Sequence, residues 1–215
     1  MLKIAPSILS ASLVNLDKEI TEVDKAGAEY IHIDIMDGHY VPNITFGPNI
    51  VREIRPLTNK TLDVHLMISP VFNFINEFIE AGADIISFHP EADKNPIGVI
   101  DLIKSLNCKV GIAMHPKISI EYVSNFLSFV DIVVVMGVNP GFGGQKFLEN
   151  QLEKISLLKK IKDNQKLNFE IEIDGGINKQ TAKKCKEKGA DVLVAGSYIY
   201  GSSFANYRKL IDSLR

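Results

Sequence analysis

Three segments of the chain share one local pattern, and their spacing restricts the folds that the chain can adopt. Each segment places a glycine after a stretch of helical character and continues with an alanine, an acid and a β-rich run. The segments are AGAEYIHID from Ala26, AGADIISFHP from Ala81 and KGADVLVAGS from Lys188. We expect their glycines to end helices in the left-handed conformation. Successive glycines lie 55 and 107 residues apart, which fits two and four strand–helix units of about 27 residues.

This unit length predicts eight strand–helix pairs in a chain of 215 residues. The β-rich runs lie at 3–8, 29–36, 61–67, 84–89, 108–114, 130–137, 168–174 and 191–196. Helical stretches follow at 16–27, 47–55, 71–81, 95–106, 119–128, 146–164, 178–188 and 203–214. The order predicts an α/β protein, a single (β/α)8 TIM barrel, with one catalytic domain over residues 1–215. An open doubly wound sheet is the alternative, which the equal units and the lack of an early G-x-G-x-x-G disfavour.

The second predicted strand carries polar residues on one face. In IHIDIM, residues 31–36, the isoleucines occupy one parity, and His32, Asp34 and Met36 occupy the other. Such alternation is typical of an antiparallel strand with one face in water. In a barrel, however, helices cover one strand face and the interior covers the other. We therefore expect His32 and Asp34 inside the barrel, near the strand ends where barrel enzymes hold their active sites.

Two further strands bring similar residues to the same end. The run DVHLM places Asp63, His65 and Met67 on one face, and EIEIDGG places Glu170, Glu172 and Asp174 on one face. A single histidine at a strand end is more often a hydrogen-bonded core residue than a ligand, and the deeper Glu170 and Glu172 are expected to bond backbone or pair with Lys. Four ligand-type side chains at one barrel end nevertheless favour a divalent metal site. The candidate ligands are His32, Asp34, His65 and Asp174.

Three methionines end predicted strands beside these residues. They are Met36, Met67 and Met136. Methionine normally fills gaps in a core. At these positions the three side chains would also give the mouth of the barrel apolar walls that exclude water.

Glycine-rich loops follow the last three predicted strands. VNPGFGGQKF spans residues 138–147, and the next two strands end in DGG and AGS. Glycines let main-chain amides approach an anion closely, and many barrels bind phosphate at these loops. Because the loop tips show no Lys or Arg, backbone amides would make the phosphate contacts. The residues concerned are Gly141, Gly143, Gly144, Gly175, Gly176, Gly196 and Ser197.

Composition argues against several other classes of protein. A formal net charge of −2 gives no basic surface for nucleic acid or an anionic membrane. Only two cysteines occur, Cys108 and Cys185, which suits a reducing compartment. Pro6 and several serines interrupt the apolar residues of the first segment, so we do not interpret it as a signal peptide. With no run of the roughly 18 apolar residues that a membrane helix needs, we expect a cytoplasmic protein.

The chain resembles the ribulose-phosphate 3-epimerase family along essentially its whole length. The matching stretches are IAPSILS, HIDIMDGHYVPN, DVHLM, FHPEA, VNPGFGGQKF, EIDGGIN and VAGS. The resemblance implies interconversion of D-ribulose 5-phosphate and D-xylulose 5-phosphate by inversion at C3, in the pentose phosphate pathway. It also implies a homo-oligomer and one divalent metal ion per chain. The ligand set suits zinc first and also accepts iron, manganese or cobalt.

The resemblance implies a role for each matching residue. Asp34 and Asp174 would bind the metal together with His32 and His65, and the two aspartates would double as acid and base. Ser7, His65 and Asp174 would contact the substrate. Its phosphate end would lie against Gly141, Phe142, Gly143, Gly144, Gly175, Gly176, Gly196 and Ser197.

Two positions depart from the family pattern. After the fifth strand the family commonly has Asn-Pro, whereas this chain has His115 before the proline. Before VNPG the family usually has Ser or Thr, and this chain has Gly137. Neither residue belongs to the implied catalytic set. We expect His115 to lie on the rim of the barrel rather than to contact a ligand residue.

The implied residues suit inversion of a carbon next to a carbonyl. One carboxylate would remove the proton, an enediolate would form, and the other carboxylate would return a proton to the opposite face. An epimerase of another phosphoketose, such as D-allulose 6-phosphate, would use the same residues and is the first alternative. A non-catalytic sugar-phosphate sensor is a second alternative, but it has little need for four ligands and two acid–base groups.

Overall fold

The structure, a computed structural model that describes residues 2–215, contains eight parallel β-strands. They follow the predicted positions closely, and most are shorter by one to three residues. The strands are β1 (Lys3–Pro6), β2 (Tyr30–Met36), β3 (Thr61–Met67), β4 (Ile85–Phe88), β5 (Lys109–Met114), β6 (Ile132–Met136), β7 (Glu170–Asp174) and β8 (Val192–Ala195).

Helices follow each strand on the outside of the barrel. They are α1 (Leu16–Lys25), α2 (Pro48–Ile54), α3 (Ile75–Glu80), α4 (Pro96–Ser105), α5 (Ile120–Ser124), α6 (Gln151–Gln165), α7 (Lys179–Lys188), α8 (Ser197–Tyr200) and α9 (Tyr207–Ser213). Short 3-10 turns lie at Ile8–Ser10, Leu13–Asn15, Arg55–Leu57, Phe72–Phe74, Pro90–Ala92, Leu127–Phe129 and Phe204–Asn206.

Several helices differ from the sequence prediction. The helices α3 and α9 begin four residues later than predicted and α5 ends four residues earlier, and 3-10 turns lie at these places instead. The sixth helix begins at Gln151 rather than at residue 146, because the loop after β6 continues through residues 145–150. The short helix α8 was not predicted. It directly follows β8, and four residues are too few to show a helical period in the sequence.

The strands form one sheet in the order β1-β8-β7-β6-β5-β4-β3-β2, with every neighbouring pair parallel. A parallel bridge between Ser7 and His32 joins the two ends of this order. The N–H of Glu29 donates to the carbonyl of Ile4 at 3.1 Å across the same seam. The structure therefore confirms the predicted (β/α)8 barrel, and all eight carboxyl ends meet at one rim.

Side-chain alternation gives the barrel wall an outer and an inner face. The isoleucines of β2 point outward and belong to the main hydrophobic core with helix residues such as Val51 and Ile54. Inside the barrel, a second apolar cluster begins at the amino-terminal ends of the strands and extends to Val194, which pairs with Asp174 at the carboxyl end of β7. The cluster consists of Ala5, Tyr30, Ile85, Ile132, Val192 and Val194.

The repeated glycines end helices as predicted. Gly27, Gly82 and Gly189 follow α1, α3 and α7, and their φ angles are 94°, 110° and 105°. These values lie in the left-handed region, which costs a residue with a Cβ atom about 1–2 kcal/mol. The three similar sequence segments are thus three copies of one helix-to-strand turn.

Candidate active site

Four polar side chains enter the upper part of the barrel from three strands. His32 and Asp34 lie on β2, His65 lies on β3, and Asp174 is the last residue of β7. The parallel register pairs Asp34 with His65, whereas β7 is separated from β2 by β1 and β8. All four side chains are buried, with exposed fractions of 0–7%. The structure therefore brings together the four residues that the sequence singles out.

Their ligand-type atoms converge on one point, within 4.8 Å of one another. His32 Nε2 lies 3.5 Å from Asp34 Oδ1 and 3.8 Å from Asp174 Oδ2. His65 Nδ1 lies 3.7 Å and 3.4 Å from the same two oxygens. Among the described residues neither ring nitrogen has a hydrogen-bond partner, which is costly for a buried polar atom. Two free imidazole nitrogens and two carboxylates around one point fit a divalent metal ion.

The other side of the His32 ring faces two buried carboxylates. Nδ1 lies 2.7 Å from Asp63 Oδ2 and 3.6 Å from Glu172 Oε1. Burial opposes a charge on His32, but the carboxylates of Asp63 and Asp34 outweigh it and raise its pKa well above the ordinary value. The negative charge of the same carboxylates also favours binding of a metal ion. Because Asp63 holds a proton on Nδ1, the Nε2 atom is free to bind the ion.

The two glutamates of β7 differ in their partners. Glu170 pairs with Lys3 and accepts a hydrogen bond from the Tyr30 hydroxyl at 2.8 Å, as the sequence predicts. The same prediction for Glu172 is wrong, because neither of its carboxylate oxygens has a hydrogen-bond partner among the described residues. Burial and the nearby Asp63 carboxylate raise the pKa of Glu172 well above its ordinary value.

The other side of the His65 ring faces a second imidazole. His65 Nε2 lies 3.1 Å from Nε2 of His89, which follows β4 and is fully buried. His89 Nδ1 lies 3.5 Å from Glu91 Oε1, and the Tyr40 ring packs on His89 with centroids 4.7 Å apart. Burial lowers the pKa of His89 to about 4 against the opposing effect of Glu91, so this imidazole is neutral at pH 7.

Asp34 is held by its neighbours in a defined orientation. The Ser7 hydroxyl donates to Asp34 Oδ2 at 2.6 Å, while Oδ1 faces the two histidines. Burial alone would raise the pKa of Asp34, but the imidazoles of His32 and His65 outweigh it and lower the pKa below the ordinary range. Ser7, which the resemblance assigns to the substrate, therefore also contacts a candidate catalytic group.

A pocket opens above these residues. Its apolar walls include Met36, Met67 and Met136, all nearly fully buried, as the sequence predicts for the mouth of the barrel. His32 and His65 are fully buried and do not line the pocket, whereas Asp34 and Asp174 do. The two carboxylates therefore face the pocket, and the two imidazoles lie behind them.

The other side of the pocket consists of the glycine loops. Every loop residue named in the sequence analysis lines it, from Gly141 to Ser197. Phe142 is half exposed there. Gly175 and Gly196 have no room for a side chain, since an added Cβ would lie 2.3 Å from Val138 and 2.6 Å from Ser10 Oγ. Among the described residues that line the pocket there is no Lys or Arg.

Comparisons with known proteins agree with this geometry. The family model described as "Ribulose-phosphate 3 epimerase family" matches residues 3–200. A Bacillus subtilis ribulose-phosphate 3-epimerase is 48% identical over 100% of this chain and 99% of its own length. The chain belongs to the ribulose-phosphate 3-epimerase family. A family member from Chlamydia trachomatis is 42% identical, over 97% of this chain and 90% of its own length.

Membership of the ribulose-phosphate 3-epimerase family makes this chain an enzyme of that kind. The barrel itself is more widespread. A 3-keto-L-gulonate-6-phosphate decarboxylase from Vibrio cholerae superposes with a TM-score of 0.75, over 100% of this chain and 95% of that chain, at only 15% identity. That likeness concerns the fold alone. Among residues 2–215, no helix combines the length and the apolar character needed to cross a membrane.

The two departures from the ribulose-phosphate 3-epimerase pattern lie beside the pocket. His115 is partly exposed, and its ring centroid lies 6.5 Å from that of His89, which places it at the rim. Gly137 donates its N–H to the Asp174 carbonyl at 2.6 Å. A Cβ at Gly137 would lie 2.4 Å from the Gly175 carbonyl oxygen, so the local packing accounts for glycine in this chain.

The site also contains residues that sequence reasoning did not assign to it. Ser10, Asn139 and Gln145 line the pocket, and His89 contacts His65 from behind. Ser10 lies within IAPSILS, Asn139 and Gln145 lie within VNPGFGGQKF, and His89 lies within FHPEA. The motifs thus contained these residues, but only the fold shows which of them face the site.

Proposed function

We propose that this enzyme interconverts D-ribulose 5-phosphate and D-xylulose 5-phosphate by metal-dependent inversion at C3. The observation that carries the proposal is the convergence of His32, Asp34, His65 and Asp174 within 4.8 Å, with two imidazole nitrogens left without partners. The names of the relatives and the family model support the substrate.

A divalent ion held by these four residues would polarise the substrate carbonyl and stabilise negative charge on its oxygens by several kcal/mol. Zinc suits the two imidazoles and two carboxylates best, with iron, manganese and cobalt as alternatives. Asp63 and His89 would hold the two imidazoles so that their free nitrogens face the ion.

Asp34 and Asp174 are the proton-transfer groups of this proposal. Both line the pocket, and they project from strands that are not neighbours in the barrel. One carboxylate removes the C3 proton while the other delivers a proton to the opposite face, and each transfer contributes about 10²–10⁴-fold to the rate. The Ser7 hydroxyl orients Asp34 for this step through its bond to Oδ2.

The glycine loops would bind the phosphate end of the substrate. Gly141, Gly144, Gly175 and Gly176 line the pocket and have positive φ angles, a backbone conformation that is found where successive main-chain N–H groups bind anions. The amide of Asn43 donates to the Gly141 carbonyl at 2.7 Å and ties the first loop to the segment after β2. The methionines would exclude water from the reacting carbons between the phosphate and the carboxylates.

Four broader features belong to the same proposal. We assign residues 1–215 to one catalytic domain that acts as a homo-oligomer in the cytoplasm, in the pentose phosphate pathway. Both cysteines are buried and free, which suits a reducing compartment. Nucleic acid and membranes are not expected partners at a formal net charge of −2.

The test is a C3-epimerisation assay on purified protein whose metal content is measured in the same sample. We expect turnover of D-ribulose 5-phosphate, about one ion per chain, and loss of activity on chelation. D-ribulose without phosphate and D-allulose 6-phosphate serve as matched substrates and should react far less efficiently. Full turnover by metal-free protein would refute metal dependence, and equal use of unphosphorylated ribulose would refute the phosphate site.

A further inference from the structure

Three imidazole and carboxylate groups form a row behind the proposed metal site. His65 presents Nδ1 to the site and Nε2 to His89, at 3.1 Å from its Nε2. His89 in turn presents Nδ1 to Glu91, at 3.5 Å from Oε1. Both histidines are fully buried, while the Glu91 side chain is about one-quarter exposed. The row therefore leads from the metal site toward the surface of the protein.

A bound metal ion requires a neutral His65 imidazole. The hydrogen bond between two neutral imidazoles has a direction, because only one of the two facing nitrogens carries the proton. If His65 donates from Nε2, its Nδ1 is left with a lone pair toward the site and can bind a cation. If His89 donates instead, the proton of His65 lies on Nδ1, points into the site and blocks a metal ion. The direction of this one hydrogen bond thus decides whether His65 can act as a ligand.

Glu91 favours the first direction. A carboxylate only accepts hydrogen bonds, so it stabilises His89 with a proton on Nδ1 and an accepting Nε2. At 3.5 Å the contact is longer than a normal hydrogen bond, and its effect is mainly electrostatic. The Tyr40 hydroxyl donates to the same Glu91 oxygen at 2.8 Å and fixes the carboxylate in place. The reverse arrangement would direct the His89 lone pair at a negative charge.

We propose that His89 and Glu91 are positioning residues that set the tautomer of His65 and thereby make its Nδ1 a metal ligand. The inference rests on the metal site of the proposed function and adds the reason why His65 binds through Nδ1 while His32 binds through Nε2. The Nδ1 of His32 faces the carboxylate of Asp63. The Nε2 of His65 faces the neutral imidazole of His89, whose tautomer depends on the more distant carboxylate of Glu91.

The direct test is ¹⁵N NMR of the zinc-loaded wild-type protein, in which the two nitrogens of each imidazole are distinguished. We expect His89 as the Nδ1–H tautomer with an accepting Nε2. Finding the proton of His89 on Nε2 would overturn the inference without any variant having to fold.

Metal affinity, measured by competition with a chromophoric chelator, supplies a second readout that does not depend on activity. His89→Leu removes the acceptor and should weaken zinc binding by about 10–100-fold. His89→Gln restores an accepting oxygen and should recover most of that loss, while Glu91→Gln, which can donate to His89, should weaken binding by less than His89→Leu. His115→Ala is the matched control, since His115 is outside the row and should leave affinity within about twofold.

The two proposals fail in different ways. Wild-type protein that binds no zinc would overturn the metal site and this inference together. Wild-type and His89→Leu proteins with equal zinc affinities would overturn the inference alone, with the metal site and the epimerase proposal intact.

Discussion

Asp34 and Asp174 have different surroundings although both face the same pocket. Asp34 accepts a hydrogen bond from Ser7 and lies next to two imidazoles that lower its pKa. Asp174 is the last residue of β7 and is followed by two glycines. Its Oδ2 atom lies 3.4 Å from His65 Nδ1. Two carboxylates in different surroundings suit two different tasks, one as base and one as acid, better than a single base that swings between faces.

This difference leads to a test of the two-carboxylate mechanism. Asp34→Asn and Asp174→Asn should each lower kcat/KM for epimerisation by at least about 10²-fold, because neither amide transfers a proton. Each variant should still exchange the C3 hydrogen of one epimer with solvent deuterium, and the two should prefer opposite epimers. Metal content is measured in parallel, since an amide oxygen still offers a ligand. A metal-loaded Asp174→Asn enzyme with near wild-type turnover would refute the mechanism.

Gly196 offers a test of the phosphate site that separates two steric effects. Gly196→Val should raise the KM for D-ribulose 5-phosphate strongly, because the side chain would obstruct the phosphate end. A Cβ at this position, however, also lies 2.6 Å from Ser10 Oγ within the protein. Ser10→Gly removes that internal contact, so the increase in KM should persist in the Ser10→Gly background if phosphate is excluded. A normal KM in the double variant would show that the contact with Ser10, and not exclusion of the phosphate, caused the increase.

At the scale of the elements, β5 packs so closely against β4 and β6 at Gly111 that a side chain cannot be added there. A Cβ on Gly111 would lie 2.2 Å from Ser87 Oγ and 2.5 Å from Ile132 Cγ2, on the strands at either side. The Ser87 hydroxyl itself is buried and has no hydrogen-bond partner among the described residues. The barrel interior therefore has no room for a residue larger than glycine at this position of β5.

Gly111→Ala should lower the free energy of unfolding by about 1–3 kcal/mol, because it overfills this part of the interior. In a Ser87→Ala background the nearest atom is absent, so part of the loss should be recovered. Chemical denaturation of the four proteins of this double-mutant cycle gives the coupling. An identical cost of Gly111→Ala in both backgrounds would contradict the packing described here.

The sequence predicted the elements wherever a local pattern determines them. Alternation in β2, β3 and β7 identified the inward-facing residues correctly, because parity depends only on neighbours along the chain. The same reasoning gave Glu172 the wrong environment and did not find the contact between His65 and His89. Those contacts depend on which strands the barrel brings together, and residues on neighbouring strands lie far apart in sequence. The start of α6 also escaped prediction, since a loop and a helix terminus of mixed polarity have no period.

At the scale of the whole molecule, the proposed ion would link parts of the chain from β2 to β7. An ion that binds only the folded state, and not the unfolded chain, stabilises the folded protein by about 4 kcal/mol at a free ion concentration of 1,000 times Kd. For a chain of this size that corresponds to a rise in Tm of roughly 8–16 °C.

We therefore expect chelation to lower the Tm of the wild-type protein and zinc to restore it. His65→Ala should remain folded but show little response to zinc, because it lacks one ligand. His39→Ala alters an exposed histidine and is the matched control with a full response. A wild-type Tm that is independent of zinc would contradict the metal site.

The position of Asp34 and Asp174 on the pocket has a consequence for the order in which ion and substrate bind. Because these two proposed ligands line the pocket that would hold the sugar phosphate, we expect the ion to enter through the same opening at the upper rim. The ion would then bind first, and a sugar phosphate in the pocket would hinder its release. Saturating D-ribulose 5-phosphate should accordingly slow the rate at which an excess of chelator strips zinc from the enzyme, while unphosphorylated ribulose should not. With this order of binding, the enzyme in a cell would lose its ion mainly while no sugar phosphate is bound.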